Sequence, residues 1–187
     1  MNILKILDRI LTVSLIVLLI VFIFVFNHTI VNGDSMKNTY ETGNKLLINL
    51  VDRGYKRQDI VTVFSDDNGA GLIPNSINTI FQAYYNQRII LVKRVIAVGG
   101  EEIEMVDKKI IIYTQENPEG KVIEEPYAKI DWTCFGVSSM SDTSFSRRKI
   151  AENTFWLMGD NRGCSQDSRF YGSFKKESIL GKVVLNF

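Results

Sequence analysis

Ile89-Ile90-Leu91-Val92-Lys93-Arg94-Val95-Ile96-Ala97-Val98 decides the fold. Eight of these ten residues are apolar and most are β-branched, which reads as a strand held inside a sheet. Successive strand side chains point to opposite faces, so Lys93 shares its face with Ile89, Leu91, Val95 and Ala97. Arg94 lies on the other face with Ile90, Val92 and Ile96. Nothing on its own strand solvates the Lys93 charge. The plain reading of either cation is a snorkelling charge at a sheet edge; the sharper one is a lysine whose burial serves chemistry.

Working outward, the segments 45–51, 59–64, 102–105, 109–114, 154–158 and 180–187 carry the same Val, Ile and aromatic signature. Gly, Asn and Asp clusters separate them. Residues 107–109 form a hairpin turn. This pattern predicts a mainly β, antiparallel domain. Two stretches interrupt it, 65–88 and 115–152. In the first, Ile77, Ile80, Phe81, Tyr84 and Tyr85 recur at helical spacing behind the caps Asn75 and Ser76. That is a short amphipathic helix, packed on the sheet or laid in a bilayer interface.

Upstream, residues 10–26 read I-L-T-V-S-L-I-V-L-L-I-V-F-I-F-V-F, and no charge occurs between Arg9 and Asp34. This is about the length a helix needs to cross a ~30 Å hydrocarbon core. The alternative is a cleaved secretion signal, with Lys5 and Arg9 as its basic region and 31–33 as its small-residue site, but such cores are usually shorter. Arg9 abuts the span whereas Lys37 lies well beyond it, which places the N-terminus in the cytoplasm. The expected organisation is a short cytoplasmic segment 1–9, an anchor 10–29, and an extracytoplasmic β domain 30–187.

The composition narrows the chemistry. The chain has 187 residues, with 22 Lys and Arg against 21 Asp and Glu, a formal charge of +1 and 45% hydrophobic residues. That balance argues against a nucleic-acid binder. One His and two Cys, Cys134 and Cys164, cannot build a His- or Cys-rich zinc site, and their spacing does not say whether they pair. No metal or organic cofactor is implied. Oligomeric state is left open.

For a serine hydrolase, the single His28 falls at the end of the anchor, so a Ser-His-Asp triad is unsuitable. A serine can instead be activated by a neutral lysine, and burial is what lowers a lysine pKa. Two further clusters accompany Lys93: Asn32-Gly33-Asp34-Ser35-Met36-Lys37-Asn38-Thr39, just beyond the membrane, and Met158-Gly159-Asp160-Asn161-Arg162-Gly163-Cys164-Ser165-Gln166-Asp167-Ser168-Arg169. The second reads as a polar hydrogen-bonding network or simply as a turn-rich surface loop.

Taken together and in order, these three pieces resemble the type I signal peptidases, membrane-anchored Ser-Lys endopeptidases that remove signal peptides from exported preproteins. Gly33-Asp34-Ser35-Met36 with Thr39 is similar to the nucleophile box. Lys93-Arg94-Val95-Ile96 with Gly100 is similar to the lysine box, and Gly159-Asp160-Asn161-Arg162 with Ser165, Asp167, Ser168 and Arg169 to the late box. The resemblance implies the antiparallel-sheet catalytic fold of that family behind one transmembrane helix. It implies Ser35 as nucleophile and Lys93 as general base, with Ser165 orienting the lysine amine. Asp167 and Arg169 would brace the site as an ion pair, and Asp160 and Arg94 would support it. The Ser35 N–H would donate to the oxyanion, Gly33 standing where some relatives place a second donor, a serine. Gly33, Asp34 and Met36 would contact the substrate. The implied partners are secreted preproteins and the lipid bilayer.

The sequence departs from the family pattern at Asn38, where a proline is usual, and at Ala97, Gly99, Gly100 and Glu101. The stretch 65–88 is longer than the connection expected there. Two other readings compete. A self-cleaving Ser-Lys regulator would lack the anchor and carry a DNA-binding module. A signal-peptidase-like assembly factor or chaperone for exported surface subunits would keep the fold without catalysis.

Overall fold

The structure is a computed structural model that describes residues 3–64, 90–129 and 144–187. The first element, α1 (Ile3–Val25), has 23 residues, none buried. It is long and apolar enough to cross a membrane. Its hydroxyls turn back on its own backbone, Thr12 Oγ1 donating to Asp8 O and Ser14 Oγ to Leu11 O at 2.8 Å. A helix in a medium without water needs such internal satisfaction.

Without an intervening loop the chain enters β1 (Phe26–Ile30), and β2 (Lys45–Asn49) returns antiparallel beside it. Then follow β3 (Ile60–Phe64), β4 (Ile90–Val98), β5 (Glu102–Val106), β6 (Lys109–Tyr113), β7 (Lys121–Val122), β8 (Phe145–Lys149) and β9 (Thr154–Met158). The chain closes with α2 (Ser168–Tyr171), β10 (Phe174–Lys175) and β11 (Ile179–Asn186). The larger sheet has the order β1-β2-β11-β3-β4-β9-β10 and the smaller one β7-β6-β5-β8. All their pairings are antiparallel. The mainly β expectation therefore holds.

The near-continuous apolar run of β4 is explained by its place. It lies between β3 and β9, and both of its faces are covered. Val95 packs with Val61, Val63 and Leu157, while Ile96 packs with Ile103, Ile112 and Trp156. Simple alternation fails at one point. The β4 to β9 register shifts between Val95 and Ala97, so Ala97 joins the Ile96 cluster rather than continuing the Lys93 face. A bulge adds a residue and resets which face follows.

The strands expected from pattern are observed within a residue or two of their ends. The turn at Asp107 and Lys108 has φ of 48° and 66°, and Val106 pairs with Lys109, as a two-residue hairpin requires. Strands β1 and β8, together with the two-residue strands β7 and β10, lie outside the segments that pattern predicts. Strand β1 is masked by continuity with the apolar helix. Strand β8 is charged and exposed because it is an edge strand, where charges discourage further pairing. The helix expected around residues 77–85, and Cys134, lie outside the described residues.

Candidate active site

The loop after β1 carries Ser35, and several bonds hold it rigid. Lys37 N–H donates to Asp34 O at 3.1 Å and Tyr40 N–H to Met36 O at 2.8 Å. Met36 is buried at 1% exposure and anchors the loop to the core. Asn38 has a φ of 100°, a value proline cannot adopt, and its Nδ2 donates to Tyr127 O at 2.9 Å. The departure from the family pattern at this position thus accompanies a different local turn.

Lys93 on β4 is 2% exposed, and its Nζ lies 2.8 Å from Ser35 Oγ. Burial brings its amine down from 10.5 to about 8, against an opposing pull from the Asp167 carboxylate. A lysine in this position is neutral in a useful fraction near physiological pH and can accept a hydroxyl proton.

Behind this pair stand two buried ion pairs. Asp160 receives Arg94 Nε at 2.8 Å and Nη2 at 2.6 Å, and Thr39 Oγ1 also donates to it. Arg94 further donates to Gln58 O at 2.9 Å and lies 3.9 Å over the Tyr127 ring. Burial opposes its charge, but the Asp160 bonds outweigh this and hold the guanidinium protonated. Asp167 receives Arg169 Nε and Nη2 at 2.9 Å and the Gly159 N–H at 3.0 Å. Burial pushes the Asp167 carboxyl up, yet Arg169, Ser165 and the Gly159 N–H together leave it below the usual carboxylate range.

Close packing makes Gly159 necessary. A Cβ there would lie 2.3 Å from Ser165 Oγ and 2.5 Å from Ser35 O. Ser165 Oγ is buried beside this backbone with no well-aligned hydrogen bond. The bond from Ser165 to the Lys93 amine that the resemblance implies is not made here. Among the three expected substrate contacts, Gly33 and Asp34 are exposed, whereas Met36 is core.

Other functional partners are not legible in the sequence. Arg162, fully buried, is held by Glu125 through Nη1 at 2.9 Å and Nη2 at 2.5 Å. Lys129 N–H donates to Asp160 O at 2.7 Å, and Arg162 N–H to Lys129 O at 2.8 Å. Glu125, Tyr127 and Lys129 thus lay a short strap of chain across the late box. They come from the polar stretch 115–152, where no periodicity or spacing singles them out. No group of metal-ligating side chains occurs among the described residues.

The site thus brings a buried lysine within hydrogen-bond distance of a half-buried serine, on an antiparallel β scaffold behind an apolar helix. The family model described as signal peptidase, peptidase S26, matches residues 3–187, and the chain belongs to this family. It is 29% identical over 173 residues to signal peptidase I of Bacillus caldolyticus, covering 88% of this chain and 81% of that protein. It is 27% identical over 184 residues to signal peptidase IB of Staphylococcus aureus strain COL, covering 94% and 84%. A crystal structure of a signal peptidase I from Enterococcus faecalis V583 aligns with a TM-score of 0.43 and 22% identity, over 70% of this chain and 97% of that one.

Proposed function

We propose that this chain is a membrane-anchored serine endopeptidase that removes signal peptides from exported preproteins, cutting after a small residue. The observation that carries it is the 2.8 Å approach of Lys93 Nζ to Ser35 Oγ with the amine buried. Neutral Lys93 takes the Ser35 proton as Oγ attacks the scissile carbonyl. The Ser35 N–H donates to the oxygen of the tetrahedral intermediate. The lysine ammonium then returns its proton to the departing amine, and a water deprotonated by the same lysine releases the acyl group.

The Arg94–Asp160 and Arg169–Asp167 pairs keep the two loops in register with β4. The substrate lies extended against the sheet, with small side chains at the first and third positions before the cut. The N-terminal end faces the cytoplasm, and the anchor ends with α1 at Val25 rather than at the expected residue 29, because Phe26–Ile30 already pairs with β2; from β1 onward the chain works on the outer side. Because Ser35 follows β1 by five residues and β1 follows α1 directly, the nucleophile stays near the bilayer where a preprotein's own apolar segment lies.

The test is cleavage of a preprotein with an Ala-x-Ala site by the full chain in detergent, compared with Ser35→Ala and Lys93→Ala at matched folding. Loss in both variants supports the dyad. Retained cleavage in either refutes the assignment, and an inactive wild type across several preproteins favours a non-catalytic assembly factor.

A further inference from the structure

Asn161 follows Asp160 in the late box and is 4% exposed. It holds both carbonyls that flank the nucleophile. Its main-chain N–H donates to Ser35 O at 3.0 Å, and its side-chain Nδ2 donates to Asp34 O at 3.1 Å. The second bond matters more, because the Asp34 carbonyl and the Ser35 N–H belong to the same peptide plane. Fixing that carbonyl fixes the direction in which the Ser35 N–H points. Accepting a bond at the carbonyl also polarises the peptide and makes its N–H a stronger donor.

The orientation of the Asn161 amide follows from its partner. Turned over, it would set Oδ1 against Asp34 O, acceptor against acceptor. In the observed orientation Oδ1 is buried and has no hydrogen bond. The side chain is therefore held for one donor contact while its acceptor goes unsatisfied, an arrangement that packing stability alone does not favour. Gly33 brings no side-chain donor to the site, so the developing oxyanion depends strongly on the Ser35 N–H.

We infer that Asn161 is a positioning residue for catalysis, whose side-chain amide aims and strengthens the Ser35 N–H as the oxyanion donor. This rests on the Ser35 and Lys93 reading given above. Asn161→Ala and Asn161→Leu both remove the donor to Asp34 O without adding charge, and both keep the main-chain bond to Ser35 O. Asn161→Leu also keeps most of the volume, so it carries the test if the alanine variant does not fold.

With the full chain in detergent and a preprotein bearing an Ala-x-Ala site, kcat should fall about 10- to 30-fold, a fraction of the loss from deleting an oxyanion donor outright. KM should stay within about two-fold, and the pH midpoint should not move, since the Lys93 surroundings are untouched. Affinity for a peptide boronate, which forms a tetrahedral adduct on the serine, should weaken by a similar factor, and affinity for the released signal peptide should not. Wild-type kcat in both variants would overturn the inference alone. So would a loss confined to KM, a displaced pH midpoint, or boronate affinity unchanged beside a reduced kcat. A wild type unable to cleave would overturn the functional reading beneath it.

Discussion

Replacing Lys93 by methionine should abolish cleavage and at the same time make the protein more stable. The side chain is 2% exposed, and its pKa is brought from 10.5 to about 8 by burial. At about 1.4 kcal/mol per pH unit, this difference amounts to about 3 kcal/mol by which folding disfavours the charged amine. The unfolded chain holds the proton up to about pH 10.5, the folded chain only to about 8. Below pH 8 both states are protonated and the penalty is complete. Between 8 and 10.5 the folded state has released its proton while the unfolded state has not, so wild-type stability rises with pH and the penalty disappears.

Methionine fills similar volume with no charge. Loss of the bond to Ser35 Oγ offsets about 1 kcal/mol, leaving a net gain of about 2 kcal/mol at pH 7. For a protein of this size that is about 4 to 8 °C in Tm. Urea titrations of the full chain in mild detergent, followed by tryptophan fluorescence with buried Trp156 as reporter, measure it at pH 7, 9 and 10.5. A Lys93→Met variant no more stable than wild type at pH 7 would refute the reasoning, as would a gain that does not shrink with rising pH.

Cleavage by the wild type should rise about tenfold per pH unit below a midpoint near 8, as Lys93 loses its proton, and a kcat/KM profile across that range checks it. Gly159→Ala would drive a methyl group into Ser165 Oγ and Ser35 O, costing at least about 2 kcal/mol and most of the activity, measured by thermal unfolding and preprotein cleavage. Arg162→Met should destabilise by about 3 kcal/mol because it strands the Glu125 carboxylate in the interior, and the double variant Arg162→Met with Glu125→Leu should recover most of that loss in urea denaturation.

The features legible along the chain are those that depend on local pattern. The apolar run 10–26 marks the helix because its length exceeds what a soluble core needs. Alternating β-branched runs mark the strands, and the strand pattern marks Lys93 as an unsolvated cation, which only the resemblance turns into a candidate base. Ser35, Asp160, Asp167 and Arg169 are legible by resemblance of their ordered boxes, and the family match over residues 3–187 agrees with that likeness. The resemblance implies Met36 as a substrate contact, and only the tertiary structure shows that its side chain is buried at 1% exposure.

Most of the elements and the residues of the three boxes are thus readable from the sequence by itself, because helix length, strand alternation and box order are properties of neighbours along the chain. Tertiary structure decided which of those side chains meet. Lys93 reaches Ser35 across 58 residues, Asn161 grips the Asp34 carbonyl across 127, and Glu125 neutralises Arg162 across 37. The bulge that carries Ala97 off the Lys93 face is also invisible locally, since it arises from how β4 must register against β9. Such contacts depend on sheet order and on the packing of both faces of β4, and a one-dimensional pattern does not encode either.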